Sequence, residues 1–319
     1  MDVKGEPVLR KLLPVFLLLA LALTACGQPA ASPETETGTA VVATTYPVYL
    51  FASAVTEGVA GYDVTLMIDQ PVSCLHDYTL SVNDMRTLER ADVIVINGAG
   101  LEETMEDALD TVDGTPVIDC SQGIALLEGE AHHHADADEE EGEDHHEGDP
   151  HIWMDPELAC VMLENLADGL AAQDPDNAAR FTANAQAAAE TVRAAYGEMK
   201  DQLADLSCRE LITFHDGFHY FARAFDLTLL RAIEEEAGSE ASAKEASEIV
   251  GDIEAHGLPA IFTEVNGSTA TAEMIARECG VRVVPLDLIM SRAPGEQPGI
   301  DAYLSRLSDD VSAIQEACS

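Results

Sequence analysis

The chain is poor in positive charge. Its 319 residues carry 16 Lys and Arg against 59 Asp and Glu, a formal net charge of −43. A phosphate backbone would repel such a surface, which excludes nucleic acid as a partner. No two cysteines have CxxC spacing, so a cysteine-based zinc knuckle is excluded too. No HExxH occurs, which removes the helix-borne site of zinc hydrolases. The apolar run LLPVFLLLALAL near the N-terminus is about a dozen residues, too short to span a bilayer core.

That run has a different meaning. Lys4, Arg10 and Lys11 precede it, and it closes on Leu23-Thr24-Ala25-Cys26. Charged, apolar and small-residue regions in this order make residues 1–26 a signal peptide. The last four resemble a bacterial lipobox, in which Cys26 takes the lipid and starts the mature chain. Residues 27–39, GQPAASPETETGT, read as a flexible tether. The expected location is extracytoplasmic, anchored by lipid to the outer face of the cell membrane. Export permits disulfides among Cys74, Cys120, Cys160, Cys208, Cys279 and Cys318. Cys279 and Cys318 fall in one predicted lobe and are the favoured pair, though sequence alone does not fix the pairing.

From Thr39 onward, short β-rich runs alternate with amphipathic stretches, the pattern of parallel α/β sheets. TAVVATTY, DVTLMI, ADVIVINGA and PVIDC read as strands of a first lobe, 40–175. Pro47 sits in the first turn of one helix, Ser81 can cap another, and Pro156 opens a third. A long alanine-rich helix, expected over 176–206 with Asp176 as its cap, contains no proline. At 1.5 Å per residue its roughly thirty residues span about 45 Å, long enough to join two lobes. ELITF, LTLLRA, AIFTEV and VRVVPLD are strands of a second lobe, 207–319, which closes on a helix from Gly299 to Cys318. The expected fold is therefore two α/β lobes, each with a mostly parallel sheet flanked by helices, joined by one rigid helix. Ligands of open α/β sheets sit at the carboxyl ends of strands, here facing an inter-lobe cleft.

The histidines form two populations. His132, His133, His134, His145 and His146 crowd into AHHHADADEEEGEDHHEGD, 131–149, which holds nine carboxylates and no Lys or Arg. This tract, set in a loop over 128–149, is too polar to build a core. It reads as an accessory metal collector or as a solvated loop, and deletion of 131–149 separates the two. His76, His151 and His215 instead stand alone at ends of predicted elements, as does Asp287. Each taken singly has an ordinary role as a hydrogen-bonding residue. Jointly, three imidazoles and a carboxylate make a tetrahedral zinc set. His219, four residues after His215 on one helix face, and Glu264, at the end of AIFTEV, are candidates for outer partners of the imidazoles. His256 sits where a helix C-terminal cap belongs.

These motifs together resemble the substrate-binding lipoproteins of bacterial zinc and manganese ABC transporters, the zinc-uptake A-type group. The carrying segments are DPHIWMDP, TFHDGFHYFARAFDL and IFTEVNGSTATAEMIARECGVRVVPLD, and the likeness runs from about Val41 to the C-terminus. It implies metal ligation by His76, His151 and His215, with Asp287 the candidate fourth ligand. It implies Zn2+ as transported ligand, with Mn2+ the lesser alternative, because His stands where manganese members carry a carboxylate at 215. It implies an ABC permease and its ATPase as partners of a monomeric receptor that is no enzyme. A surface zinc buffer or adhesin is the alternative role. Two departures stand out. The family's Asp-Pro-His at the first ligand is Ser-Cys-Leu-His here, which brings Cys74 near His76, and the usual Leu-Asp-Pro-Leu is Leu-Asp-Leu-Ile at Asp287. The fourth ligand is therefore Asp287, a loop residue or water.

Overall fold

The structure is a computed structural model and describes residues 38–72, 75, 78–112, 114–128, 148–233 and 242–319. The signal peptide, Cys26, most of the tether, Cys74, His76 and the five loop histidines lie outside the described residues.

Two four-stranded parallel sheets form the body. Strands β1 (Thr39–Ala43), β2 (Tyr62–Leu66), β3 (Val93–Ile96) and β4 (Val117–Asp119) lie in the order β2-β1-β3-β4. Strands β5 (Glu210–Thr213), β6 (Thr228–Ala232), β7 (Ala260–Glu264) and β8 (Arg282–Leu286) repeat it as β6-β5-β7-β8. All six pairings are parallel. In each sheet the connections diverge between the first and third strands, the point where such sheets bind ligands. The central strands are apolar on both faces, as a covered parallel sheet demands: Val41, Ile94, Val95, Leu211 and Ile261 are fully buried.

The helices begin where local chemistry allows. Helix α1 (Tyr46–Val55) has Pro47 in its first turn. Ser81 and Ser242 head capping boxes with Asp84 and Glu245, opening α2 (Val82–Leu88) and α7 (Ala243–His256). The stretch after β3 is a 3₁₀ turn, Glu103–Met105, running into α3 (Glu106–Thr111). Helix α4 (Pro156–Gln173) carries Pro156 at its start, and Asp155 caps it through Glu157 N. The second lobe adds α6 (His219–Ala224), α8 (Ala270–Cys279) and α9 (Ile300–Cys318). Helix α7 ends on a left-handed Gly257, and His256 in its last turn faces Glu210 at 3.0 Å.

The joining helix, α5 (Ala178–Gln202), is shorter than the sequence suggests, and Asp176 does not cap it. Asp174 instead accepts from Asn177 N and Nδ2, so the turn around Pro175 delays the helix. Its 25 residues still span about 37 Å. Near one end Phe181 packs edge-on to Tyr62 of the first sheet. Near the other, Tyr196 meets Phe225 and Gln202 bonds Gln315 of α9. The helix thus touches both lobes, and one continuous apolar core runs beneath it, including Phe51, Trp153, Phe181, Phe221 and Tyr303. A separate cluster around Ile249, Ile261 and Ile275 supports the far side of the second sheet. Cys318 lies in the main core against Cys208, whereas Cys279 packs on the second cluster. Among the described residues no helix is long and apolar enough to cross a membrane.

Candidate metal centre

His215 leaves the end of β5, and Thr213 Oγ1 donates to its backbone carbonyl at 2.9 Å. His151 opens a 3₁₀ turn, Ile152–Met154, directly before α4. The two rings meet nearly at right angles, 88°, with centroids 5.6 Å apart. Two imidazoles sharing a tetrahedral ion about 2 Å from each ring nitrogen stand at roughly this spacing.

His151 is fixed from behind. Its Nδ1 lies 2.8 Å from Asp149 Oδ1, and its backbone N donates to the same oxygen at 2.9 Å. A ring that gives its Nδ1 proton to a carboxylate keeps a lone pair on Nε2, the orientation a metal ligand needs. Burial works to raise the Asp149 carboxyl, but the His151 contacts win and hold it below its ordinary range. His219 shares this carboxylate: its Nδ1 is 3.7 Å from Asp149 Oδ2 and 3.1 Å from Asp216 Oδ1. Asp149 was read from sequence as part of the acidic loop. In the structure it backs His151 through both Nδ1 and the backbone N.

The 151–155 segment follows the first sheet in sequence, yet it is bolted to the second lobe. Tyr220 OH donates to Asp149 O and receives Leu127 N, while Asp149 N donates to Leu127 O. Trp153 Nε1 donates to Leu288 O, and Tyr303 OH to Trp153 O, both at 2.8 Å. On the first-lobe side, Asn97 Nδ2 reaches Pro150 O at 3.0 Å. Asn97 N and Gly98 N donate to the buried Glu102, which Thr44 also meets at 2.7 Å. Burial pushes Glu102 up to about 7, against these hydrogen bonds.

The two candidate carboxylates lie together at the ends of β7 and β8. Glu264 is buried and accepts from Asn266 N at 2.9 Å. Burial, with the nearby charge of Asp287, pushes it up to about 7. Asp287 is not a bare ligand. Its Oδ2 is paired with Arg306, and its Oδ1 accepts from Ile289 N at 2.7 Å. That second bond holds Ile289 at a φ of 59°, a conformation a β-branched residue rarely takes. Arg306 also grips Glu296, at 2.7 and 3.1 Å, and Glu296 receives Tyr46 OH from the first lobe. Sequence reasoning missed Arg306, because no local spacing links it to Asp287.

His76 lies outside the described residues, but its approach does not. Val72 N donates to Ser291 Oγ at 3.1 Å, and Arg292 pairs with Asp69. The loop that leads to His76 is therefore docked on the second lobe. Among the described residues no three His, Cys, Asp or Glu side chains can hold an ion by themselves. The His151–His215 pair is what the structure brings together.

The model of the family described as zinc-uptake complex component A, periplasmic, matches residues 41–317. The chain belongs to that family. It is 28% identical over 301 residues to the zinc-binding lipoprotein AdcA of Streptococcus pneumoniae, covering 94% of this chain and 59% of AdcA. It thus spans little more than half the length of that relative. It is 25% identical over 307 residues to the high-affinity zinc uptake system protein ZnuA of Bacillus subtilis, covering 95% and 94% of the two chains. A crystal structure of ZnuA shares the fold with a TM-score of 0.74 at 27% identity, over 88% of this chain and 100% of that one. The family is one of extracytoplasmic metal-binding receptors, not a class of enzymes.

Proposed function

We propose that this protein is a zinc receptor that captures Zn2+ at the inter-lobe cleft and hands it to an ABC permease and its ATPase. The observation that carries the reading is the perpendicular His151–His215 pair, with His151 pinned through Nδ1 by Asp149. His76 supplies the third imidazole, and residues 69–72, which precede it, contact the second lobe through Arg292 and Ser291. The fourth ligand is Asp287, which already holds Arg306 and Ile289 N, or else water or a loop residue. An imidazole-rich set favours zinc over manganese, which prefers oxygen. The reading as a carrier is supported by the family, and Asp149 and Asp287 are already engaged by His151 and Arg306. Cys26 anchors the receptor, a monomer, by lipid.

Competitive titration with Zn2+ and Mn2+ tests this on the wild type, His151→Ala and His215→Ala. The expected result is zinc preferred over manganese, with affinity falling about 100-fold or more in either variant. Undiminished zinc affinity in both would remove the site. A chain that binds zinc tightly yet fails to stimulate transport with its permease and ATPase in vesicles would be a buffer or adhesin.

A further inference from the structure

The first cysteine of the second lobe and the last one of the chain meet. Cys208 stands two residues before β5, and Cys318 ends α9. The Cys318 carbonyl receives three hydrogen bonds from the 207–208 pair: Ser207 N at 2.9 Å, Ser207 Oγ at 2.7 Å and Cys208 N at 3.2 Å. These bonds hold the two backbones side by side and bring the Cys208 side chain next to that of Cys318, while Cys208 Sγ donates to Glu210 O at 3.5 Å. The other described cysteines are placed elsewhere. Cys160 is buried against Ala189 O at 3.6 Å, Cys120 is buried at the end of β4, and Cys279 packs on the separate cluster at the end of α8.

We infer that Cys208 and Cys318 form a disulfide in the exported protein, closing the whole second lobe into one covalent ring. The inference rests on the extracytoplasmic location of the family and is independent of which metal the cleft takes. The chemistry is thiol–disulfide exchange with a disulfide-bearing thiol oxidoreductase outside the cytoplasm. One thiolate attacks a sulfur of the donor disulfide, giving a mixed disulfide and releasing one donor thiol. The second cysteine then displaces the other donor sulfur. Two protein thiols are oxidised to one S–S bond, and one donor disulfide is reduced to two thiols. Access favours Cys208 as the first attacker. It is half-buried and lines an open pocket of about 550 Å³ with Arg209, Glu210 and His256, whereas Cys318 is buried. Burial also pushes the Cys318 thiol up to about 11, which suppresses its thiolate. The ring encloses β5 to β8 and α9, so it restricts the unfolded chain over a long loop, the case in which a cross-link constrains most.

The full exported chain tests this. Peptide mapping without reduction, after blocking free thiols, is expected to yield a fragment linking Cys208 to Cys318. Both residues recovered as blocked free thiols, or either linked to another cysteine, would overturn the inference. A second measurement does not depend on the native oxidant. Full-length chain reduced with dithiothreitol and then treated with oxidised glutathione should regain the same link and several degrees in Tm. The C208S/C318S variant should gain nothing from that treatment. Equal gains in the two proteins would overturn the stapling role. Zinc affinity should stay within about twofold throughout, so a failure here and a failure of the zinc reading remain distinguishable.

Discussion

A methyl group at Gly217 would stand 2.7 Å from Leu288 Cδ2 and 3.0 Å from His151 Cδ2. A side chain at 217 would therefore make Leu288 or the His151 ring give way where the His-Asp-Gly-Phe turn lies against them. Gly217→Ala is expected to push the His151 ring off its line to His215 and to weaken zinc binding about tenfold, read by chelator competition. An unchanged affinity would mean that the turn relaxes without moving the ring. Asp149→Asn probes the same ring from behind. It keeps an acceptor but loses the charge that fixes the Nδ1 proton, and the expected loss in affinity is about 10- to 100-fold with an intact fold by circular dichroism. His151 and His215 were legible in the sequence because each stands alone beside an element end. Asp149 was not, although it is two residues from His151. Eight other carboxylates in the same acidic run hid the one that folds inward.

At the scale of elements, the ends of β1 and β3 are held by Glu102, whose two oxygens receive Asn97 N and Gly98 N. Burial raises its carboxyl from 4.5 to about 7. Between those values the folded chain holds a proton that the unfolded chain has lost, so stability falls as pH rises through this window and levels off above it. The metal-free protein should accordingly show a Tm that drops from pH 5 to pH 7. Glu102→Gln should flatten part of that slope, at a cost of about 1–3 kcal/mol because its amide must face a backbone N–H. A slope unchanged in the variant would assign the effect to other groups, Glu264 first among them. Most elements were readable from periodicity and caps, and Ser81 starts its helix with a capping box; the matching box at Ser242 was not read from the sequence. The error at Asp176 has a local cause: Asp174 and Asn177 satisfy each other across Pro175, which no propensity at position 176 reveals.

At the scale of the molecule, the contacts that tie the lobes include Asp69 with Arg292, Val72 with Ser291, and Tyr46 with Glu296. None could be read from the sequence, since each joins residues more than 200 positions apart. Arg292→Ala removes the most exposed of them and spares the candidate ligands. It is expected to speed zinc release severalfold in stopped-flow chelation, with little change in capture. An unaltered release rate would show that the remaining contacts between the lobes, without Arg292, set the rate.

The histidine-rich tract stands on two feet. Glu128 and Gly148 form an antiparallel bridge, and Leu127 and Asp149 bond to each other and to Tyr220 just beneath it. Deletion of 131–147, stopping short of Asp149, should therefore leave one tight zinc site and abolish several weak ones in calorimetry. A deletion carried through Asp149 should also damage the tight site. The bridge has a further consequence for how the protein can vary. Because the feet are fastened by their own backbone, the span between them can be lengthened, shortened or rewritten at little entropic penalty. Among descendants of this chain, insertions and losses should accumulate between 129 and 147 and halt at Gly148.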